Sequence, residues 1–266
     1  MIKSRDKKDL SVLLDTIGLK ERICSNQSVL IKINLSRPPV PGHPRTDVAL
    51  LSKVIQYIYS RGGTCALAEG AKGYLDKNLE EIGLSYVINR YQVKVIDVDL
   101  EEADRIIMNG EEHYIPKCFQ QYGLRIALPA ASKRLGMIFS NNVKLFVGAV
   151  PRSMYQINNQ IVDWRPRVHL DLHHSVANIY RSIQAYAPFH YYINGGLAMS
   201  EDVGEFPLKD ILIGDDGVEL DFHVLKNYFE SVEPPEYLLQ LLNERSNEGL
   251  NGRIKKLIAI NHYKSE

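Results

Sequence analysis

A lysine stands where an apolar residue would be expected in the run Val29-Leu30-Ile31-Lys32-Ile33-Asn34. The run otherwise reads as a strand buried on both faces, and a buried ammonium is costly unless it is paired. Lys32 therefore needs a carboxylate or a ligand, or it snorkels to water from an edge strand. Strand periodicity puts Lys32 and Asn34 on one face, directed toward the carboxyl end of the strand. The next strand-like run closes on Ala68-Glu69-Gly70. Glu69 is the first candidate to pair with Lys32 or to act as a general base, and the glycines at 70 and 73 let backbone N–H groups approach a ligand.

Other polar residues follow apolar runs in the same way. Between Asn34 and Asp47 the chain holds Pro38, Pro39, Pro41 and Pro44, which stiffen it, and Arg37 and Arg45, whose guanidinium groups suit a carboxylate or phosphate. An ordinary surface loop stiffened for stability is the competing reading. Asp97 and Asp99 close a third run, and Ser132-Lys133-Arg134 follow a fourth that stops at Pro129. Neither GxGxxG nor GxxxxGK[ST] occurs at these turns, so they give no nucleotide signature.

The stretch His169-Leu170-Asp171-Leu172-His173-His174 has two readings. In an extended backbone His169, Asp171 and His173 share a face and form a three-ligand metal set; in a helix only His169 and His173 do. The spacing of Leu172, Val176, Ile179 and Ile183 favours a helix starting near Asp171, which makes Asp171 a cap and leaves no metal assigned. General acid–base work by His169 or His173 stays open, since histidine titrates near neutrality.

These residues need a frame, and apolar runs alternating with helical periods supply one: an α/β fold in three layers, a mostly parallel sheet with helices on both faces. Strands are expected at 29–33, 64–68, 93–98, 124–128, 189–193 and 210–213. Helices are expected at 51–60 with Asp47 as cap, at 75–82 and from 172. Asn109-Gly110 between short runs predicts an inserted hairpin. All 266 residues read as one domain, with the first ~25 residues and a leucine-rich helix from about 234 as packing extensions. That last helix packs on its own domain or on a second subunit, so a homodimer is a candidate assembly.

Composition narrows the class further. With 45% apolar residues the chain can build its core without a metal or disulfide. Lysine plus arginine equals aspartate plus glutamate at 32 each, which argues against nucleic acid as a partner. No run approaches the ~20 apolar residues that span a bilayer, and the charged start MIKSRDKKDL is unlike a signal peptide, so a cytoplasmic protein with no membrane partner is expected. Cys24, Cys65 and Cys118 form no CxxC pair.

Several segments together resemble the family of domain of unknown function 362. They are VLIKINLSRP followed by GHPRTDVALLSKVIQYIYSRGG, Glu69-Gly70, Leu128-Pro129, Asn142-Val143-Lys144-Leu145-Phe146-Val147-Gly148, Asn194-Gly195-Gly196, Gly204 and Ile213-Gly214-Asp215. The resemblance runs from about Val29 to Asp221. It implies a site at the carboxyl ends of the strands, to which Lys144 and Asn194 are added. Two positions depart from the family pattern: Ala130-Ala131-Ser132-Lys133-Arg134 lacks its lysines and histidine after the Leu-Pro step, and Leu145 stands where an asparagine is usual. The ferredoxin-like cysteine cluster of many members is missing, so no iron–sulfur cluster is expected and any electron transfer would need an external partner.

The expectation is an enzyme of small-molecule metabolism with an anionic substrate, of redox or isomerase/lyase type and with no cofactor specified. Lys32, Glu69, Lys144, His169 and His173 are its candidate catalytic groups, and Asn34, Arg37, Arg45, Lys133 and Asn194 its candidate substrate contacts. A non-catalytic ligand-binding or scaffold protein is the alternative.

Overall fold

Five successive residues of strand Ser28–Ile33, from Val29 to Ile33, are buried, which a strand achieves only in the middle of a sheet covered on both faces. A computed structural model of the chain describes residues 1–4, 10–23, 27–35, 43–71, 73–133, 139–154, 156–157, 160–161, 168, 170–229 and 232–248. In chain order its first elements are β1 (Ile2–Ser4), α1 (Leu10–Thr16), α2 (Leu19–Arg22), β2 (Ser28–Ile33), α3 (Val48–Ser60), β3 (Thr64–Glu69), α4 (Leu75–Glu81), α5 (Ser85–Tyr91) and β4 (Lys94–Asp97). The hairpin β5 (Ala103–Met108) and β6 (Glu111–Pro116) comes next, then β7 (Leu124–Leu128), β8 (Ser132–Lys133), α6 (Asn142–Leu145), β9 (Gln156–Ile157) and β10 (Gln160–Ile161). The chain continues through α7 (Leu172–Tyr186), β11 (Tyr191–Ser200), β12 (Gly204–Gly214), α8 (Gly217–Tyr228) and α9 (Glu236–Glu248).

The main sheet has the order β1-β12-β11-β7-β2-β3-β4, with β8 extending the pairing of β11. From β11 to β4 neighbouring strands run parallel, and β12 and β1 add an antiparallel edge. From β2 the chain steps outward to β3 and β4, then returns to β7 on the other side of β2. The order therefore reverses between β2 and β7, and such a switch point opens a crevice at the carboxyl ends of the strands.

One apolar layer joins Val29, Ile31 and Ile33 to Leu13, Leu50, Val54, Ile55 and Ile58, so α1 to α4 cover that face. The other joins Leu30 and Ala68 to Phe146, Val176, Ile179, Val224 and Tyr237, so α6 to α9 cover the opposite one. Side-chain alternation along β2 sends successive residues to the two layers. In α3 the Asp47 side chain accepts from the Leu50 N–H and starts the helix, as the sequence predicts. The Asn109-Gly110 turn takes φ values of 49° and 82°, which close the β5–β6 hairpin.

The sequence reading needs three adjustments. Asn194-Gly195-Gly196 does not follow a strand that stops at 193: it lies inside β11, where the pairing with β12 shifts register between Asn194 and Gly196 as a bulge. The final strands are longer than their apolar runs and form an antiparallel pair, and Ile2–Ser4 joins β12 as an edge strand. The leucine-rich helix α9 buries Tyr237, Leu238 and Leu241 in its own chain's core against α7 and α8, so of the two packings open to it this face takes its own domain.

Candidate functional site

Lys32 is fully buried, and its Nζ donates to Glu69 Oε2 at 2.9 Å and to the Ile33 carbonyl at 2.8 Å. In register beside it stand Ala68 of β3 and Ala127 of β7, whose small side chains leave width for the lysine stem. Glu69 also accepts from the Leu35 N–H at 3.3 Å and from the Gly70 N–H at 2.9 Å. One carboxylate thus ties the exit of β2 to the exit of β3. Desolvating both charges costs several kcal/mol, which attraction at close range and these extra hydrogen bonds offset.

The residues around Gly148 cover this pair. A Cβ on Gly148 would lie 3.0 Å from Glu69 Oε1 and 3.4 Å from Lys32 Nζ, so any side chain there would press on the pair and shift one of its members. Gly70 is equally confined, with Asp99 Oδ1 and the Gly148 carbonyl oxygen each 3.1 Å from where its Cβ would stand. Beyond Gly148 the Arg152 N–H donates to Asp99 Oδ1 at 3.3 Å, and its guanidinium lies 3.9 Å from Asp99 Oδ2. Burial, followed by the negative neighbours Asp99 and Asp76, raises the Asp97 pKa, while the Asp99 N–H opposes that shift. The carboxyl edge of β2, β3 and β4 thus carries Lys32, Glu69, Asp97, Asp99 and Arg152 within one small region.

At the switch point, Thr46 Oγ1 donates to the Leu128 carbonyl at 2.6 Å and accepts from the Asn34 N–H at 2.8 Å. The Thr46 N–H returns a hydrogen bond to the Asn34 carbonyl at 2.8 Å. Asn34 is consequently half-buried beside the junction of β2 and β7. Arg45, exposed next to it, lines an open cleft of about 340 Å³ with Asp47, Glu81, Met199 and Glu205. Lys133 lines a different cleft of about 450 Å³ with Ser200, Asp202, Phe206 and Tyr228, and pairs with Asp202 at 2.6 Å. The projecting ends of β11 and β12 contribute residues to both clefts. Arg45 and Lys133 therefore line separate clefts, and neither cleft is lined by Lys32 or Glu69.

Lys144, on α6, is half-buried. Asn194 faces a polar cluster inside the fold: its Oδ1 accepts from Asn141 Nδ2 at 2.6 Å and Asn142 Nδ2 at 2.9 Å, and its Nδ2 donates to Asn142 Oδ1 at 2.9 Å. At the centre of this cluster is Asp221, which sequence reasoning missed. Its carboxylate accepts from the N–H of Asn142 at 2.8 Å, from Asn142 Nδ2 at 2.9 Å and from the N–H of Val143 at 3.0 Å. Complete burial pushes its pKa up to about 7 against the pull of these donors. An acid in the middle of α8 gives no local signal, and only the contact with α6 reveals its role.

Helix α7 begins at Leu172 with Asp171 accepting from the His174 N–H, so His173 stands in a helix rather than in an extended run and Asp171 is its cap. His173 Nδ1 accepts from the Tyr237 N–H at 3.4 Å, and its ring stacks on Tyr237, which directs it toward α9 rather than the sheet edge. His169 and Arg37 lie outside the described residues. Among the described residues no group of three histidine, cysteine, aspartate or glutamate side chains is arranged to hold a metal ion. Cys65 and Cys118 are separate buried thiols whose pKa burial pushes up to about 12. No helix among the described residues is long and apolar enough to cross a membrane.

The strand order, the Lys-x-Asn end of β2, the acidic-glycine end of β3 and the glycine-containing segment over them define an α/β protein with a charged cluster at the carboxyl edge of its sheet. Residues 29–226 match the family described as Domain of unknown function (DUF362), and the chain belongs to that family. No curated protein matches the chain.

Proposed function

We propose that the chain is an enzyme of small-molecule metabolism that binds an anionic substrate at the carboxyl edge of the sheet, near the β2–β7 switch point. The observation that carries this reading is the buried Lys32–Glu69 pair. A fold seeking stability alone does as well or better with apolar residues at such positions, so a charged pair at a strand end points to a functional requirement. In this reading the pair holds Leu35 and Gly70 in place, and a ligand meets the loop residues beyond them. Among the described residues, Arg45, Lys144 and Arg152 are cations on the flanking segments. The reaction type stays open between redox and isomerase/lyase chemistry.

One observation favours a second reading, a non-catalytic ligand-binding or scaffold role: both charged groups are enclosed beneath Gly148. Calorimetric titration with small mono- and dicarboxylates, inorganic phosphate and simple phosphate esters tests whether any ligand binds. The proposal expects saturable binding that weakens at least about tenfold in the double variant Lys32→Met/Glu69→Gln, whose circular dichroism remains native. If none of these anions binds, or the double variant binds one as tightly as the parent does, the proposal is wrong. Turnover of a bound ligand, followed by nuclear magnetic resonance with and without an added redox partner, separates the enzyme from the binding protein.

A further inference from the structure

The Asn142–Leu145 turn bears Lys144 at its third position and leads directly to Gly148 above the Lys32–Glu69 pair. A helix start leaves N–H groups without intrahelical partners, and here a carboxylate from a distant helix meets two of them. We propose that Asp221 is the positioning residue for Lys144: its carboxylate pins the first turn of α6, and taking up a proton loosens that turn.

The pin is unusual in its surroundings. Asp221 is fully buried, and the donors that meet it among the described residues are amides rather than cations. Oδ1 accepts from Asn142 and Oδ2 from Val143, so a proton on the carboxyl removes the negative charge these donors meet and weakens their hydrogen bonds. Asn194 holds the Asn142 side chain from β11 and passes the disturbance to the same turn. The titratable groups coupled to Asp221 are Tyr180 of α7 and Tyr237 of α9, both pushed upward chiefly by burial. The titratable side chains nearest along α8 are Glu219 and His223, each two residues away, with the Asp216–Arg245 ion pair at the helix start, while Lys144 is the charge on α6 itself. Neither tyrosine is anionic near neutrality, so of these three groups Asp221 is the one that changes charge there.

The apolar side chains of Val143, Leu145 and Phe146 lie in the core, so the change is confined to the turn rather than spread over the fold. Ionised Asp221 holds Asn142 and Val143, and with them the turn that carries Lys144; protonated Asp221 holds them more weakly. The titration falls near pH 7, where the carboxyl changes state in the folded protein. The two consequences of titration have opposite signs. The raised pKa makes this group's contribution to global stability fall as pH rises from its unfolded value toward 7, while protection of the α6 amides rises as pH passes through about 7.

The role given to Lys144 rests on the site proposed above, but the test needs no ligand, so either idea can fail alone. Hydrogen–deuterium exchange of the intact chain, corrected for intrinsic rates, is measured at about pH 6 and about pH 8. The proposal expects the Asn142 and Val143 amides to be protected about tenfold more at the higher pH, with β2 and β7 amides unchanged. Asp221→Asn should abolish the difference. Equal protection at both values, a parallel change in β2 and β7, or a pH dependence retained in Asp221→Asn would overturn it. If that variant does not fold, the comparison within the parent chain decides.

Discussion

Lys32 Nζ lies 2.9 Å from Glu69 Oε2, joining neighbouring parallel strands through a pair that bulk water does not reach. The alanines at 68 and 127 make width for it, and Gly148 makes height. The stability of the pair and any role in binding can therefore be separated by experiment.

Replacing one partner should be worse than replacing both. Lys32→Met leaves an uncompensated buried carboxylate and should cost about 3–5 kcal/mol in urea unfolding, whereas Lys32→Met/Glu69→Gln should regain most of that loss. A single variant as stable as the parent would mean that Glu69 finds water or a proton without penalty.

Gly196 has a φ of 77°, and a Cβ there would overlap the side chain of Asp47, the cap of α3. Gly196→Ala should destabilise through backbone strain and loss of the cap, each on the order of 1 kcal/mol. Asp47→Ala should then add little in that background, a coupling measured by a double-mutant cycle. Additive losses would show that the two residues act separately.

The fold was legible where local chemistry dictated it. Asp47 and Asp171 announced helix starts, Asn109-Gly110 announced the hairpin, and Lys32 stood out because its neighbours are apolar. The bulge at Asn194 and Gly196 was not legible, because two glycines look the same in a strand as in a turn. Asp221 was hidden for another reason: its partners Asn142 and Val143 are remote in sequence, and nothing around it in α8 requires an acid. Strand order, and with it the separation of Arg45 from Lys133, followed from packing across the whole sheet.

Acid sensitivity should arise in part at His190. Its Nδ1 accepts the Arg125 N–H at 3.0 Å, which requires the ring to be unprotonated at that atom. Burial first, then Arg22 and Arg125, depress its pKa from 6.5 to about 4. A depressed base favours the folded state above its unfolded pKa, so this contribution is lost as pH falls from 6.5 to about 4. His190→Gln should flatten the stability profile in that window; an unchanged profile would exclude His190 as a source of the sensitivity.

Cys65 and Cys118 should resist thiol reagents in the folded chain, because burial holds both in the unreactive protonated form. In a Cys24→Ser background, Ellman's reagent should react with them only on unfolding. Rapid reaction under native conditions would show that one of the two opens to solvent.

An anion should bind at the carboxyl edge of β2 and β3. Backbone amide shifts of the nitrogen-15-labelled chain, followed during titration with malonate and, separately, inorganic phosphate, test it most directly. The account predicts saturable shifts for at least one of these anions at Asn34, Thr46, Gly70 and Gly148, with little change at Asn109 and Gly110 of the hairpin turn. Saturable shifts confined to residues away from that edge, or no saturable shift with either anion, would contradict it.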